Sequence, residues 1–540
     1  MKEEKRSAAR SRWAARIRGA LAALWLAAFC AGVAFPASEL PETAPLAALM
    51  ARTQPLHALE KALLGRAGFA ASIASAIVAI ALLGGTLLAG RFHCSLLCPL
   101  GTCQDAAARL ASGLRSPRRG TITPRRGLGA LRTGTAAFTL AGLVLGLPAA
   151  ATLLEPYTIF ARGFQRSLGD LAALALNGLE SLGLPVPVMT VRWEPFAFAL
   201  AVLPFGAVLV AAAFRSRAFC GALCPAGALL GAANAVALFR VRLDRAACVD
   251  CGACSRVCRA GCVNGHFLDT SRCVQCLDCV AVCPTGALRY RPPRRDELVA
   301  PFRPPATDPA RRRFLVDAGA AGVGIAAALA APALARAASV PLARETPRGS
   351  SGRTLAVPPG ALSVRRYAEL CTTCGTCVRA CPSGVLRHST LEFGLASPGV
   401  PYLDYGRAFC QYECVACSAA CPSGAILDRE PEFKKREAIG KSALELSDCI
   451  VVSKGTRCGA CAEHCPSGAV RIEEVAGRPL PVPVLHAATC IGCGACETVC
   501  PAEPRKAMTV SGLAVHELAD PPRKDAALPV GEPSTEGFAF

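Results

Sequence analysis

Histidine is scarce in this chain, with seven residues in 540. Tyrosine, methionine and tryptophan number six, four and three, and the 39 acids fall short of the 59 lysines and arginines, giving a net charge of +20. So few histidines argue against Cys2His2-type zinc arrays. Only His57 and His93 are placed to serve a haem across the apolar half, and they form no ligand pair. Cys-x-x-Cys-His does not occur, which excludes covalent c-type haem by that signature. Cysteine, by contrast, is abundant: 31 residues in a chain that is 52% hydrophobic. Disulfide scaffolds of such density are short secreted domains. A long apolar chain with this many thiols points instead to a membrane protein carrying thiolate-ligated metal. The positive surplus requires no nucleic acid, because much of it flanks apolar segments where anionic lipid attracts it.

Four apolar runs, 17–35, 69–90, 133–154 and 195–214, are each close to the ~20 residues a bilayer-crossing helix needs. Residues 1–18 carry seven Lys or Arg, and loop 91–132 carries eight Arg against one acid, Asp105. Loops 36–66 and 155–194 carry three basic residues each, balanced by acids. This bias places the N-terminus and the 91–132 loop in the cytoplasm. A fifth, Gly/Ala-rich stretch, 314–335, follows Arg311-Arg312-Arg313-Phe314-Leu315 and is similar to a twin-arginine export signal in mid-chain. The expected fold is therefore an α-helical membrane domain of four spans plus one anchor or signal helix, with α+β bacterial ferredoxin-like 4Fe-4S domains. The expected domains are 1–240 (membrane), 241–292 (cytoplasmic two-cluster ferredoxin), 293–340 (linker and signal helix), 341–520 (periplasmic four-cluster ferredoxin) and 521–540 (loose tail).

The second and fourth runs end alike, at Arg91-Phe-His-Cys94-Ser-Leu-Leu-Cys98-Pro-Leu-Gly101 and Arg217-Ala-Phe-Cys220-Gly-Ala-Leu-Cys224-Pro-Ala-Gly227. Cysteines at i and i+4 share a helix face, so each pair is a candidate metal chelate or redox disulfide. Such a parallel repeat places equivalent sites around one axis.

Six further blocks follow. Cys248, Cys251, Cys254, Cys258 and Cys273, Cys276, Cys279, Cys283 have the bacterial two-cluster ferredoxin spacing. Three cysteines of one loop bind one cube, and the fourth reaches the other. The expected sets join Cys283 to the first three and Cys258 to Cys273, Cys276 and Cys279. Zinc fits less well, since it takes paired ligands rather than three plus one. The later blocks are Cys371, Cys374, Cys377, Cys381; Cys410, Cys414, Cys417, Cys421; Cys449, Cys458, Cys461, Cys465; and Cys490, Cys493, Cys496, Cys500. Two of these widen their first gap, to three and to eight residues. Exchange of the fourth cysteines, between neighbours or first with fourth and second with third, stays open. Six 4Fe-4S clusters are expected, with a further metal or redox centre at Cys94, Cys98, Cys220 and Cys224. Cys30, Cys103 and Cys262 are left over; packing suits Cys30, and the other two lie near metal motifs.

The first half resembles the NapH-type membrane ferredoxin at Cys94, Cys98, Cys220, Cys224 and the two blocks from Cys248 to Cys283. The second half resembles the NapG/MauM-type periplasmic ferredoxin at Arg311 to Leu315 and Cys371 to Cys500. The fusion of the two, and the missing Pro after Cys258, depart from those families. The resemblance implies oxidation of membrane quinol and electron delivery to a periplasmic reductase, such as nitrate reductase, or to a cytochrome acceptor. It implies location in the cytoplasmic membrane, with the first ferredoxin inside and the C-terminal domain in the periplasm. Glu155 and Tyr157, at the expected outer interface with the amphipathic stretch 168–184, are the candidates for shaping a quinol site. Two rival functions are a redox maturation factor for a periplasmic metalloenzyme and a ferredoxin hub facing the cytoplasm.

Overall fold

The computed structural model describes residues 13, 16–30, 69–114, 128–145, 154–183, 195–264, 267–293, 309–337, 347, 349, 352–390, 392–394, 398–421 and 423–522. Loop 36–66, His57, most of the 293–310 linker, residue 338 and the tail beyond 522 lie outside the described residues.

Helices α1 (Phe69–Ala89), α2 (Pro99–Leu114), α3 (Leu128–Val144), α4 (Pro156–Phe164), α5 (Asp170–Glu180), α6 (Pro195–Phe214) and α7 (Pro225–Ala235) make up the first part. A π-helical turn, Gln165–Gly169, joins α4 to α5. The cysteine repeat is visible in the backbone. Each copy is a long helix, then a short one (His93–Leu96 or Ala218–Ala222), then α2 or α7, which opens on the Pro after the second cysteine. Proline has no N–H to donate and clashes with a preceding helical turn, so it starts helices rather than continuing them. Cys94 and Cys98 therefore do not share one helix. Cys94 lies in the short helix, Cys98 at the junction before α2, and Cys224 caps α7, its sulfur accepting from Gly227 N at 3.2 Å.

The expected membrane domain is overturned. Among the described residues no helix is both long and apolar enough to cross a membrane. The described helix that enters the 133–154 run, α3, has 17 residues, about 26 Å against a ~30 Å apolar core. Helix α8 (Pro309–Ala337) has 29 residues, but it begins in the Arg311–Arg313 run, carries Asp317, and is otherwise largely Gly and Ala. It packs along α3, where Gly134 and Gly324 let the two backbones meet.

Strands β1 (Arg240–Leu243) and β2 (Leu288–Arg291) pair antiparallel and bracket the first two cysteine blocks. Beyond residue 347, β3 (Leu386–His388) pairs with β4 (Pro401–Leu403), and β6 (Val470–Glu473) with β7 (Val482–Leu485). The longest ribbon joins β5 (Glu437–Leu444) to β8 (Met508–Leu518). One core, including Val364, Tyr367, Leu386, Phe393, Ile426, Ile439 and Met508, holds this region together. A second joins Phe29, Tyr157, Phe160 and Phe205 to Cys98, Cys224 and Cys374, so the two regions pack on each other.

Candidate metal centres

All 31 cysteines are free thiols. Among the described residues no group of three or more His, Cys, Asp or Glu is placed to hold a single metal ion. A cube of iron and sulfide is instead ligated at its corners, which asks for cysteines ringing a cavity.

Such rings are present. Cys248, Cys251, Cys254 and Cys283 line one pocket. Cys381, Cys410, Cys414 and Cys417 line a second. Cys449, Cys458, Cys461 and Cys500 line a third, and Cys465, Cys490, Cys493 and Cys496 a fourth. Cys421 lies within electrostatic reach of Cys371, Cys374 and Cys377, and Cys258 of Cys273, Cys276 and Cys279. In the outer region the fourth cysteines are thus exchanged between neighbouring blocks, first with second and third with fourth.

The four loops of standard spacing share one backbone device. The residues before and after the second cysteine both take positive φ: Asp250 and Gly252, Gln275 and Leu277, Thr373 and Gly375, Gly492 and Gly494. A non-glycine residue adopts such angles only where its surroundings impose them. Consecutive left-handed turns aim N–H groups inward, as in the concavities that cradle anions. Thr373 N donates to Cys371 Sγ at 3.3 Å. Hydroxyls approach the sulfurs too: Thr285 lies 3.8 Å from Cys283, Ser383 3.5 Å from Cys381, Ser423 3.6 Å from Cys421 and Ser467 3.8 Å from Cys465. Each follows the Cys-Pro step, whereas Cys500-Pro is followed by Ala502.

The paired motifs meet. Cys94, Cys98, Cys220 and Cys224 are all buried and within electrostatic reach of one another. Burial pushes the Cys98, Cys220 and Cys224 thiols up. Two arginines enclose them. Arg217 donates from Nε and Nη2 to Asp105 at 2.9 and 2.8 Å and from Nη1 to the Cys94 carbonyl. Arg91 is 1% exposed; its Nε donates to Cys94 Sγ at 2.9 Å, while Nη2 is buried without a partner. Burial opposes the Arg91 charge, and the sulfurs of Cys94, Cys220 and Cys224 more than offset it. Gln104 Nε2 donates to Cys220 Sγ at 3.3 Å. A Cβ on Gly101 would stand 2.7 Å from the Cys94 carbonyl, and one on Gly227 2.9 Å from that of Cys220, so both positions require glycine.

The quartet touches both neighbours. Cys94 packs with Cys276, and Asn234 donates to the Cys273 carbonyl at 3.1 Å while accepting from Arg91 N. Arg259 links the ferredoxin to the repeat by bonding Asp105 at 2.7 Å and Asp278 at 2.6 Å. On the other side Cys98 and Cys224 share a core with Tyr157, Phe160 and Cys374. Glu155 and Tyr157 do not face open space. Glu155 caps α4, accepting from Thr158 N at 2.9 Å and Oγ1 at 2.7 Å, and the Tyr157 ring stands 5.5 Å from that of Phe29. Burial pushes Cys30 up to about 11 and Cys103 up to about 12, so both stay protonated. Cys262 is placed closer to the chemistry than its position in the sequence reveals. It lies 3.4 Å from Cys258 Sγ, and its hydrogen bond lowers the Cys258 thiol.

The comparisons with known proteins agree on iron–sulfur binding. The 4Fe-4S dicluster domain matches residues 370–426 and 454–503, and the 4Fe-4S binding domain matches 72–118, 197–245 and 266–289. The ferredoxin-type protein NapG of Escherichia coli K12 is 35% identical over 202 residues, 35% of this chain and 80% of the relative. The methylamine utilization ferredoxin-type protein MauM of Methylorubrum extorquens is 34% identical over 201 residues, 36% of this chain and 84% of the relative. MauM of Paracoccus denitrificans is 36% identical over 150 residues, 26% of this chain and 65% of the relative. No solved structure matches the chain.

Proposed function

This chain belongs to the ferredoxin-type NapG/MauM family, and we propose that it relays electrons from a hydroquinone to a partner redox protein of a periplasmic reductase system. Six 4Fe-4S clusters, held by Cys248–Cys254 with Cys283, Cys273–Cys279 with Cys258, and the four exchanged sets from Cys371 to Cys500, would each supply a one-electron carrier. The observation that carries this reading is continuity. Cys276 packs on Cys94, and Cys98 shares a core with Phe160 and Cys374, so the two groups of cysteine rings are joined through the quartet.

The quartet is the proposed further centre. A buried guanidinium without a carboxylate needs a counter-charge, because an uncompensated buried ion costs several kcal/mol. Four metal-bound thiolates beside Arg91 supply that charge, and the match of 72–118 and 197–245 to the 4Fe-4S binding domain supports it. The repeat also supports reading the first half as a NapH-type electron-entry part fused to the second. The exposed apolar side chains Ile80, Leu203, Val210 and Phe214 suit a lipid-soluble donor and contact with the surface of the cytoplasmic membrane.

Anaerobic mixing of the iron-loaded full chain with a short-chain hydroquinone tests the reading. Loss of cluster absorbance within the mixing experiment is expected. Clusters that stay oxidised, while a partner enzyme's maturation still depends on the protein, would instead establish the maturation role.

A further inference from the structure

The four outer rings fall into two pairs. Cys421 joins Cys371, Cys374 and Cys377 in the first ring, and Cys381 joins Cys410, Cys414 and Cys417 in the second. Cys465 and Cys500 are exchanged in the same way between the other two. The pairs touch at the second ring. Cys410 N donates to the Cys493 carbonyl at 2.9 Å, and Phe409 and Cys410 pack against Ile491 and Cys493. Tyr405 braces this contact, its hydroxyl donating to the Gly492 carbonyl at 2.6 Å. An electron leaving the first pair thus has a hydrogen-bonded route from Cys410 to the ring of Cys465, Cys490, Cys493 and Cys496.

A buried cation stands at this crossing. Lys434 closes a short helix, Pro431–Lys434, and is 3% exposed. Its Nζ donates to the Tyr412 carbonyl at 2.8 Å and to that of Gln411, both in the loop between Cys410 and Cys414. Its charge reaches Cys410 and Cys417. The neighbouring Lys435 takes the carboxylates of Glu413 and Glu432, each at 2.9 Å, and among the described residues Lys434 makes no ion pair. A buried ion left so costs several kcal/mol. Cations on the other outer loops have their charge shared or screened. Arg162 donates to the Thr372 and Thr373 carbonyls of the first ring but lies within reach of Glu155. Lys441, which donates to the Cys490 carbonyl, is half-buried, and Lys506, which donates to that of Cys500, is exposed.

A 4Fe-4S cube with its thiolates is anionic and gains one more negative charge on reduction, so a nearby unscreened cation favours the reduced form. We propose that Lys434 is a positioning residue for electron transfer: it raises the reduction potential of the cube held by Cys381, Cys410, Cys414 and Cys417, which then draws the electron from the first ring and holds it at the crossing to the second pair. In this step the first cube is oxidised and the second reduced by one electron, and no bond or proton moves. The proposal deepens the relay reading of the preceding section and rests on it.

The test uses the anaerobic, iron-loaded full chain and the variants Lys434→Gln, Lys434→Arg and Lys434→His. EPR-monitored potentiometric titration reads each cube, and Cys414→Ser, which changes a ligand of the second ring alone, identifies that ring's signal. In Lys434→Gln the reduction equilibrium of this cube is expected to shift about tenfold toward the oxidised form, about 59 mV for one electron, with the other cubes unmoved. Lys434→Arg is expected to stay close to wild type. In Lys434→His the potential is expected to fall as pH rises through the histidine range, because the charge is then lost, while the wild-type value stays flat. That variant decides the matter if Lys434→Gln fails to retain its iron. An unchanged potential in Lys434→Gln, an equal shift in Lys434→Arg, or a pH-independent Lys434→His would overturn the proposal and leave the relay reading in place. Cubes that shift as expected but take no electron from a hydroquinone would overturn the donor reading alone.

Discussion

The two copies of the Arg…Cys-x3-Cys-Pro-x-Gly segment fold alike and are charged differently. Arg217 meets a carboxylate, Asp105, which also receives Arg259. Arg91 meets sulfur, because the residue of the second copy equivalent to Asp105 is Gly231. Gln104 touches Cys220, and its equivalent, Leu230, packs against Cys94. Repetition supplies the scaffold, and a few departures from it pair one arginine with a carboxylate and leave the other facing cysteine sulfur. The ferredoxin rings solve the same charge problem with backbone N–H groups and hydroxyls.

The strongest way to break the comparison is to remove the sulfurs. Cys94→Ser with Cys220→Ser is expected to lose the quartet's metal while the six rings keep theirs; iron analysis against protein concentration checks this. A structural metal site contributes on the order of 10 kcal/mol to folding, so the thermal transition of the first half is expected to fall steeply. Next in size, Arg217→Met strands Asp105 with Arg259 and is expected to cost about 3–5 kcal/mol in denaturant unfolding, with or without iron. Arg91→Met is expected to behave oppositely in the two states. It is harmless or stabilising in the iron-free chain, which loses an uncompensated buried charge, and destabilising in the loaded one. Equal effects of the two arginine variants in both states would dissolve the distinction.

Smaller effects sharpen it. Gly101→Ala and Gly227→Ala are each expected to cost about 1–3 kcal/mol by overpacking against the cysteine carbonyls, since the scaffold itself is symmetric. Asp105 differs from both. Burial lifts its carboxyl, and Arg217 and Arg259 more than reverse this, holding it below the ordinary range. Its contribution to stability is therefore present above the unfolded value of about 3.9 and lost as pH falls further. Acid unfolding of Asp105→Asn is expected to lack that share. Smallest is Ser383→Ala, which removes a hydroxyl from Cys381 and is expected to lower one cluster potential by about 20–60 mV. A potentiometric titration followed by EPR reads it.

How several of the cysteines group was legible in the sequence, because spacing along a loop is a local property. The ring of Cys248, Cys251, Cys254 and Cys283 follows from two loops and one reach between them. Exchange among the outer blocks was not legible, since it depends on which loops the β3–β4 and β6–β7 ribbons bring together. Hydropathy misled on the spans: composition marks apolar runs but does not set helix length, and among the described residues no helix is long and apolar enough to cross a membrane. Reading Cys94 and Cys98 as one helix face overlooked Pro99, which ends one helix and starts another. The quartet's charge pattern had a single visible signal, Asp105 as the one acid in a loop of eight arginines.

The most direct test counts iron and acid-labile sulfide per chain in the anaerobically purified full-length protein, beside the Cys94→Ser, Cys220→Ser variant. About 24 of each are expected from six cubes, plus a quartet contribution that the variant lacks. Zinc in place of iron with no labile sulfide, or counts the same in both proteins, would contradict that expectation.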